Sequence, residues 1–246
     1  MNATGQTRNA KMETDRTAKL EFGVQMTCDS CVNAVRTALE GVQGVKSVKI
    51  DLVKEEVLVE SVLTSQEVQA LIEGTGRRAV LKGMGGVEKD LGVAVAMMSG
   101  VGPVQGVVRF LQVTENRCLI DGTIDGLEPG AHGLHHVGDL GNIMADSDGR
   151  SSFRFEDPQL KVWDIIGRSL VVDAGEDDLG RGGHPLSKQN GNSGERLACG
   201  IIARSANLFQ NTKQICACDG VTIWEERDRP LAGMGRSKTD TPAANL

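Results

Sequence analysis

The sequence predicts two folded units and a tail: an α+β unit of order βαββαβ, an all-β antiparallel sandwich or barrel, and a polar C-terminal segment. Apolar residues follow alternating strand and helix periods from about residue 20 to 84. From about residue 103 to 207 only strand patterns occur, separated by turn residues. The 246 residues include 31 glycines but only five Phe, two Trp and no Tyr, which indicates many tight turns around an aliphatic core.

The first unit begins with a strand and a helix. Leu20–Gln25 is a short apolar run and predicts the strand, and Asp29–Glu40 predicts the helix. The apolar residues that recur at helical spacing are Val32, Val35 and Leu39. This spacing predicts that the helix buries one face against the strands.

Two more strands, a second helix and a closing strand complete this unit. Alternation of apolar and polar residues around Val48–Leu52 and Val57–Val59 predicts half-buried strands. Thr64 and Glu67 have the spacing of a capping box, so the second helix is expected to begin there. Ala79–Leu81 is expected to close the sheet.

The second unit is a series of short strands between Gly, Asp, Asn and Pro residues, which is typical of an antiparallel sandwich or barrel. The runs are Val107–Val113, Cys118–Ile124, Phe153–Phe155, Ser169–Asp173 and Leu197–Arg204. We therefore divide the chain into a first unit over 18–84, a glycine-rich linker over 85–102, a second unit over 103–207 and a tail over 208–246. The tail is too polar for a core of its own and is expected to be flexible or docked.

Charge and hydropathy exclude several classes of function. The 27 basic and 33 acidic side chains give a formal net charge of −6, which argues against nucleic-acid binding through a broad basic face. No run reaches the roughly 18 apolar residues that would span a bilayer, and the N-terminus lacks the apolar segment of a secretory signal. A cytoplasmic protein without membrane insertion is expected, with the nucleus or the mitochondrial intermembrane space as further possibilities.

Two thiols at a predicted strand-to-helix junction give the strongest functional signal. Cys28 and Cys31 lie three positions apart in the segment MTCDSC, at the start of the first helix. A helix N-terminus lowers thiol pKa values, and a thiolate pair selects soft ions such as Cu(I). The alternatives are a thioredoxin-like redox pair and half of a zinc knuckle. The second half of such a knuckle is absent nearby.

A second thiol pair stands in the tail. Cys216 and Cys218 are two positions apart, and in an extended segment their side chains point to the same face. They could therefore bind one soft ion or exchange a disulfide. The alternative is that they are two unrelated surface thiols.

The motifs resemble known families. MTCDSC in a βαββαβ unit resembles the heavy-metal-associated domain of copper chaperones and copper-transporting ATPases, which has a ferredoxin-like fold. GTIDGLEPGAHGLHH, GDLGNIMAD, DDLGRGGHPLS and GNSGERLACG resemble copper–zinc superoxide dismutase, a Greek-key barrel. Together with the CxC tail, these units resemble the family of copper chaperones that serve superoxide dismutase.

The dismutase-like unit departs from that family at its metal sites. Asp173 stands where the resemblance implies a copper-binding histidine, and a carboxylate suits copper poorly, so dismutase activity is not expected. A few dozen residues of the zinc loop are missing after GLH. His136 and Asp139 resemble the last two zinc ligands, so the zinc site is incomplete, and both could instead be solvated loop residues. Cys199 resembles one half of a disulfide whose loop partner is missing, which leaves it as a structural thiol.

Other positions of the resemblance are expected to have structural or docking roles. His132 resembles a structural histidine, and Asp177 and Arg196 resemble residues that serve the metal sites of a dismutase and are expected to be structural here. Gly106–Val107 and Cys199–Ile202 resemble the edges of the dismutase dimer contact.

The missing loop also predicts a geometric problem. If the connection His136–Asp139 has to cross the barrel, its four residues reach about 13–14 Å at full extension. Packed sheets lie about 10 Å apart. A strained or rearranged barrel is therefore expected.

The resemblance implies a metallochaperone rather than an enzyme. Such a chain would take Cu(I) from a copper-donor transporter, bind apo copper–zinc superoxide dismutase as a heterodimer, deliver the ion and help to form the target's disulfide. It could also form a homodimer. The alternatives are a copper-binding isoform with a disrupted middle domain that buffers Cu(I) without transfer and, less favoured, a superoxide dismutase.

Overall fold

The computed structural model describes residues 17–87, 91–100, 102–136, 138–211 and Trp224. The first unit contains a four-stranded antiparallel sheet in the order β2-β3-β1-β4. Its strands are β1 (Ala18–Val24), β2 (Val45–Asp51), β3 (Glu56–Ser61) and β4 (Ala79–Gly85). In the described part of the chain, none of the helices is long and apolar enough to cross a membrane.

Two helices cover one face of this sheet. Helix α1 (Asp29–Leu39) buries Val35 and Leu39, and helix α2 (Ser65–Glu73) buries Val68 and Ile72 against the same core as the strands. The capping box predicted at the start of α2 is confirmed. The Thr64 side chain accepts from the Glu67 backbone N–H, and the Glu67 carboxylate accepts from the Thr64 N–H at 2.7 Å. The predicted βαββαβ order is therefore observed.

The second unit is an eight-stranded antiparallel sheet that curls into a near-barrel, as predicted. Its order is β10-β7-β6-β5-β12-β11-β8-β9, and the edge strands β9 and β10 lie against each other. The strands are β5 (Val93–Ser99), β6 (Gln105–Thr114), β7 (Arg117–Asp125), β8 (Gly130–His135), β9 (Asp139–Ala145), β10 (Ser151–Asp157), β11 (Ser169–Asp173) and β12 (Arg196–Arg204). Two short helices, α3 (Val162–Ile165) and α4 (Ser187–Asn190), lie in its loops.

The predicted linker over 85–102 is wrong in part, because it contains strand β5. This strand lies in the interior of the eight-stranded sheet, between β6 and β12. Its inward residues Ala94, Ala96 and Met98 are fully buried in the barrel core. The glycines on either side hid an alternating strand of small and flexible apolar residues, VAVAMMS.

The expectation of a strained or rearranged barrel at the missing loop is also wrong. Strands β8 and β9 are hydrogen-bonded antiparallel neighbours, with His132 opposite Ile143 and His135 opposite Asp139. The shortened connection is thus the end of a hairpin and does not cross the barrel. The His136 N–H donates to the Gly138 carbonyl at 2.8 Å within it. A loop between neighbouring strands can be shortened without moving either strand.

A buried polar joint holds the two units together. Asp121 on β7 is fully buried, and its carboxylate accepts from the backbone N–H and the hydroxyl of Ser65 at the start of α2. Arg154 on β10 donates to Asp121 at 2.8 Å and to the Ser61 carbonyl on β3 at 3.0 Å. Leu111 and Leu119 of the barrel are buried in the core of the first unit.

The chain returns to the first unit after the last strand. We call residues 205–211 the return segment. The Phe209 N–H donates to the buried carboxylate of Glu21 on β1 at 2.5 Å. A Cβ at Gly83 would lie 2.6 Å from the Asn207 carbonyl oxygen, and one at Gly85 would lie 2.7 Å from the Leu208 side chain. Two glycines on β4 therefore make room for the return segment.

Candidate functional site

The two cysteines of MTCDSC lie at the exposed end of the first unit. Cys28 is the N-cap residue of α1 and Cys31 lies in its first turn. Their sulfur atoms are 3.6 Å apart, and both are free thiols. Since a thiolate–metal bond of about 2.3 Å lets one ion bridge sulfurs up to about 4.6 Å apart, both can bind the same ion.

The surroundings of Cys31 favour its thiolate. They lower the pKa of Cys31 to about 6, and the largest cause is a hydrogen bond from the Thr27 backbone. The guanidinium of Arg77, whose Nη2 lies 3.4 Å from the Cys31 sulfur, is the next cause, followed by the Cys28 thiol. At neutral pH this sulfur is therefore mostly deprotonated, which is the form that binds soft metals.

Strand pairing brings Arg77 to the cysteines. Because β1 and β4 are antiparallel, Ala79 lies opposite Val24, so the chain just before β4 lies beside the chain just after β1. Nη1 of Arg77 donates to the Thr75 carbonyl, which helps to hold the side chain in place. Arg77 could not be predicted from a local motif, because only the pairing of the first and last strands of this unit brings it near the cysteines.

The other cysteines fall into three groups. Cys118 is fully buried in the barrel core, and burial raises the pKa of its thiol to about 12. Cys199 is a free thiol exposed on β12, so in the described structure it packs no core and forms no disulfide. Cys216 and Cys218 lie outside the described residues.

A second polar site lies at a surface cavity of about 460 Å³ at one end of the barrel. Asp173 and Asp177 are buried there, and an oxygen of each lies 3.3 Å from Nε2 of His135. The Ser193 hydroxyl donates to Asp173 Oδ2 at 2.6 Å. Asp173 therefore lies beside His135 at this end of the barrel.

The remnant zinc pair does not form a matching site. His136 is half-buried, its Nε2 has no hydrogen-bond partner, and burial together with the nearby Arg168 lowers its pKa. A neighbouring guanidinium disfavours a divalent cation there. Asp139 instead lies with His135 and Asp177, their ligand atoms within 4.8 Å of one another. His136 is not part of that cluster.

The remaining dismutase-like positions are also placed. His132 is buried, and its ring nitrogens lie 2.9 Å and 2.7 Å from the carbonyl oxygens of Asp173 and Glu128, which agrees with a structural role. Arg196 lines the cavity. His135, which directly precedes His136, was not among the predicted ligands.

The outer face of β5 and β12 carries exposed apolar side chains. Ile201 is 65% exposed and Met97 is 45% exposed. The register that pairs Cys199 with Ser99 places Ile201 opposite Met97. Gly106 on β6 lies opposite Met98 on β5. The two stretches that resemble the dimer contact therefore come together, with β5 between them.

Two family descriptions match this chain. The description of the heavy-metal-associated domain matches residues 21–78, and that of copper/zinc superoxide dismutase (SODC) matches residues 135–202. The first contains the two cysteines, and the second contains the cavity residues.

Curated relatives resemble the chain over nearly its full length. Copper chaperone for superoxide dismutase from Homo sapiens is 62% identical over 261 aligned positions, which cover 92% of this chain and 95% of the relative. The chloroplastic/cytosolic protein of that name from Arabidopsis thaliana is 35% identical over 83% of this chain and 69% of its own length. Superoxide dismutase 1 copper chaperone from Saccharomyces cerevisiae is 28% identical over 90% of this chain and 98% of its own. All three relatives are named as chaperones and not as enzymes.

Proposed function

Because the chain belongs to the family of copper chaperones for superoxide dismutase, we propose that it binds Cu(I) at Cys28 and Cys31 and delivers the ion to apo copper–zinc superoxide dismutase. The observation that carries the proposal is the pair of sulfurs 3.6 Å apart at the start of α1, one of them belonging to a thiol with a pKa of about 6. Two thiolates hold a soft ion while leaving it open to attack by an acceptor's ligands.

The geometry suits transfer better than storage. Cys28 is exposed and Cys31 is partly exposed, so an incoming thiolate or imidazole can reach a bound ion. Arg77 offsets the negative charge of the thiolates without occupying a ligand position. A partner protein that offers more than two ligands can then take the Cu(I) ion by ligand exchange.

We further propose that the middle unit docks on the target through the exposed apolar face of β5 and β12, in a heterodimer. An intact core supports this. Within the described residues the barrel has one continuous apolar cluster that includes Phe110, Ile120 and Leu134. A disrupted middle domain, which the buffering alternative requires, has no support in this fold. A dismutase also has little support, because Asp173 stands at the position expected to bind copper.

Cys216 and Cys218 complete the proposal as a second thiol pair. If their sulfurs are first joined by an external oxidant, exchange with two target thiols moves the disulfide to the target. The two protons of the target thiols then end on Cys216 and Cys218. The CxC spacing supports this role. We also propose that the chain can form a homodimer and that it receives Cu(I) from a copper-donor transporter.

The test is activation of reduced, apo superoxide dismutase by the Cu(I)-loaded chain under air. We expect dismutase activity to appear, and to be abolished by Cys28→Ser/Cys31→Ser and by Cys216→Ser/Cys218→Ser. Cys199→Ser also changes an exposed thiol outside both pairs, but Cys199 lies on the proposed docking face, so a loss of activity in this variant would report on docking and not on thiol exchange. If the unaltered chain binds Cu(I) at Cys28 and Cys31 but activates nothing, the buffering alternative holds.

A further inference from the structure

We propose that Glu55, in the turn between β2 and β3, is a positioning residue for the copper-binding cysteines. Its backbone adopts a conformation that glycine would adopt more easily, and from there its side chain holds the segment that leads into Cys28. The consequence for Cu(I) rests on the proposed function, whereas the contact itself does not.

Glu55 occupies a strained backbone position. Its φ is 51°, in the left-handed region that favours glycine. The turn is closed by the Glu55 N–H, which donates to the Leu52 carbonyl at 3.3 Å. Asn and Asp are tolerated at such positions because their short side chains can hydrogen-bond locally, and the Glu side chain is longer. A residue persists in this conformation only when contacts with the surrounding structure offset the strain.

The contacts of Glu55 are with the segment that follows β1. Its backbone carbonyl accepts from the Val24 N–H at 2.8 Å, and its Oε1 accepts from the Met26 N–H at 3.3 Å. The N–H groups of an extended strand alternate between its two neighbours. Accordingly, the Gln25 N–H donates to the other side, to the Arg78 carbonyl at 3.1 Å. The Glu55 carboxylate therefore supplies the acceptor for Met26 at the point where the backbone of β3 has already turned away.

The held segment runs directly into the two cysteines. The Met26 side chain is buried in the core of the first unit, the Thr27 backbone hydrogen-bonds the Cys31 sulfur, and Cys28 is the N-cap residue of α1. Because Thr27 and Cys28 follow Met26, a fixed Met26 backbone limits where the Thr27 N–H and the Cys28 sulfur can lie. A loop that is already ordered binds its ligand more tightly than one that the ligand has to order.

This role predicts opposite effects on stability and on Cu(I) affinity. Glu55→Gly removes both the strained side chain and its contact with Met26. The stability of the metal-free chain should stay the same or rise, because glycine adopts a positive φ without strain. The affinity for Cu(I) should fall, because the ion then has to order the loop. A residue that serves stability alone would not separate the two effects.

The test uses the full chain with Cys216 and Cys218 changed to Ser, so that Cu(I) is measured at the first thiol pair. Competition with a chromophoric Cu(I) chelator under nitrogen gives the Kd, and urea denaturation gives the stability. Hydrogen exchange of the Met26 amide, followed by NMR, reports the contact itself. In Glu55→Gly we expect the Kd to rise about threefold or more. The Met26 amide should exchange about tenfold faster or more, and the urea midpoint should not fall.

Two further variants serve as controls. Glu55→Gln keeps a side-chain oxygen that can accept from the Met26 N–H, so its Kd should stay within about twofold of the starting chain. Lys54→Gly places the same new residue one position earlier, at an exposed side chain where φ is not positive. It should lower the urea midpoint, because glycine loses more conformational freedom on folding, and leave the Kd within about twofold.

Three outcomes would overturn the proposal. The first is an unchanged Kd in Glu55→Gly. The second is a fall in its urea midpoint as large as that of Lys54→Gly, and the third is a Glu55→Gln variant as weak as Glu55→Gly. If the starting chain binds no Cu(I), the proposed function fails instead, and the exchange rate of the Met26 amide in Glu55→Gly still decides whether Glu55 holds the loop.

Discussion

Arg77 contributes to the reactivity of Cys31 at the residue scale. Its guanidinium donates to the sulfur at 3.4 Å and is the second cause of the lowered pKa of about 6. We expect Arg77→Gln to raise this pKa, because the thiolate loses a charged donor. A rise of one unit would lower the thiolate fraction at pH 6 from about one half to about one tenth. The rate of alkylation of Cys31 against pH, followed by peptide mass spectrometry, measures this shift.

The control for this experiment is the next residue. Arg78→Gln removes the same charge, but Arg78 is not among the causes of the shift at Cys31. We expect the alkylation profile of Cys31 in the Arg78→Gln variant to match that of the unaltered chain. In both proteins, Cu(I) binding should weaken as the pH falls through about 6, because Cys31 becomes protonated. An identical midpoint in the Arg77→Gln variant would show that the remaining partners, the Thr27 backbone and the Cys28 thiol, set the pKa without Arg77.

Local signals predicted some residues of the sites and missed others. Thr64 and Glu67 could be predicted because the capping box depends on a spacing of three residues. The cysteine pair could be predicted for the same reason. The contact of Arg77 with Cys31 and that of Asp177 with His135 could not be predicted, because each spans more than forty residues and depends on strand pairing.

The joint between β7 and α2 gives a stability prediction at the scale of elements. Asp121 is fully buried and pairs with Arg154, and it also lies opposite Arg109 on β6. We expect Asp121→Asn to lower the free energy of unfolding by about 3–5 kcal/mol, because it leaves buried guanidinium groups without a counter-charge. Urea denaturation followed by tryptophan fluorescence and circular dichroism measures the change.

The same strand provides the matched control. Asp125 pairs with Arg150 through a similar contact at 2.5 Å, but the two side chains are 40% and 47% exposed. Asp125→Asn should therefore cost only about 0–1 kcal/mol. Equal effects at both positions would mean that burial at the joint does not determine the stability.

Strand β5 and the β8–β9 hairpin show where prediction of elements failed. Glycine-rich flanks obscured β5, although its alternation of buried and outward residues is regular. The hairpin was missed because sequence spacing does not reveal which strands are neighbours. The first error concerns the detection of a strand and the second its pairing across the sheet, whereas the type of each unit followed from periodicity alone.

The arrangement of the whole molecule connects the copper-binding unit to the docking unit. The Asp121 joint fixes α2 to the barrel, and the return segment places residues 205–211 on the sheet that carries the cysteine loop. Cys216 is five positions beyond Asn211 in the sequence, a reach of about 17 Å at full extension. The tail therefore begins on the unit that holds the copper-binding cysteines, which supports transfer within one chain.

Docking of the barrel gives the prediction for the whole molecule. We expect Ile201→Glu to weaken the complex with apo superoxide dismutase at least tenfold, about 1.4 kcal/mol, because it puts a charge into an apolar contact. Its exposure of 65% means that the free chain should stay folded. Analytical ultracentrifugation of the mixed proteins measures the affinity, and unfolding of the free variant checks its stability.

Met144 provides the control for the docking face. It is 64% exposed on β9, a strand at the edge of the sheet and far in strand order from β5 and β12. Met144→Glu adds the same charge to an equally exposed apolar residue and should leave the affinity unchanged. If Met144→Glu weakens the complex and Ile201→Glu does not, the partner binds at the β9 edge. The exposed pair Met97 and Ile201 would then have no part in delivery.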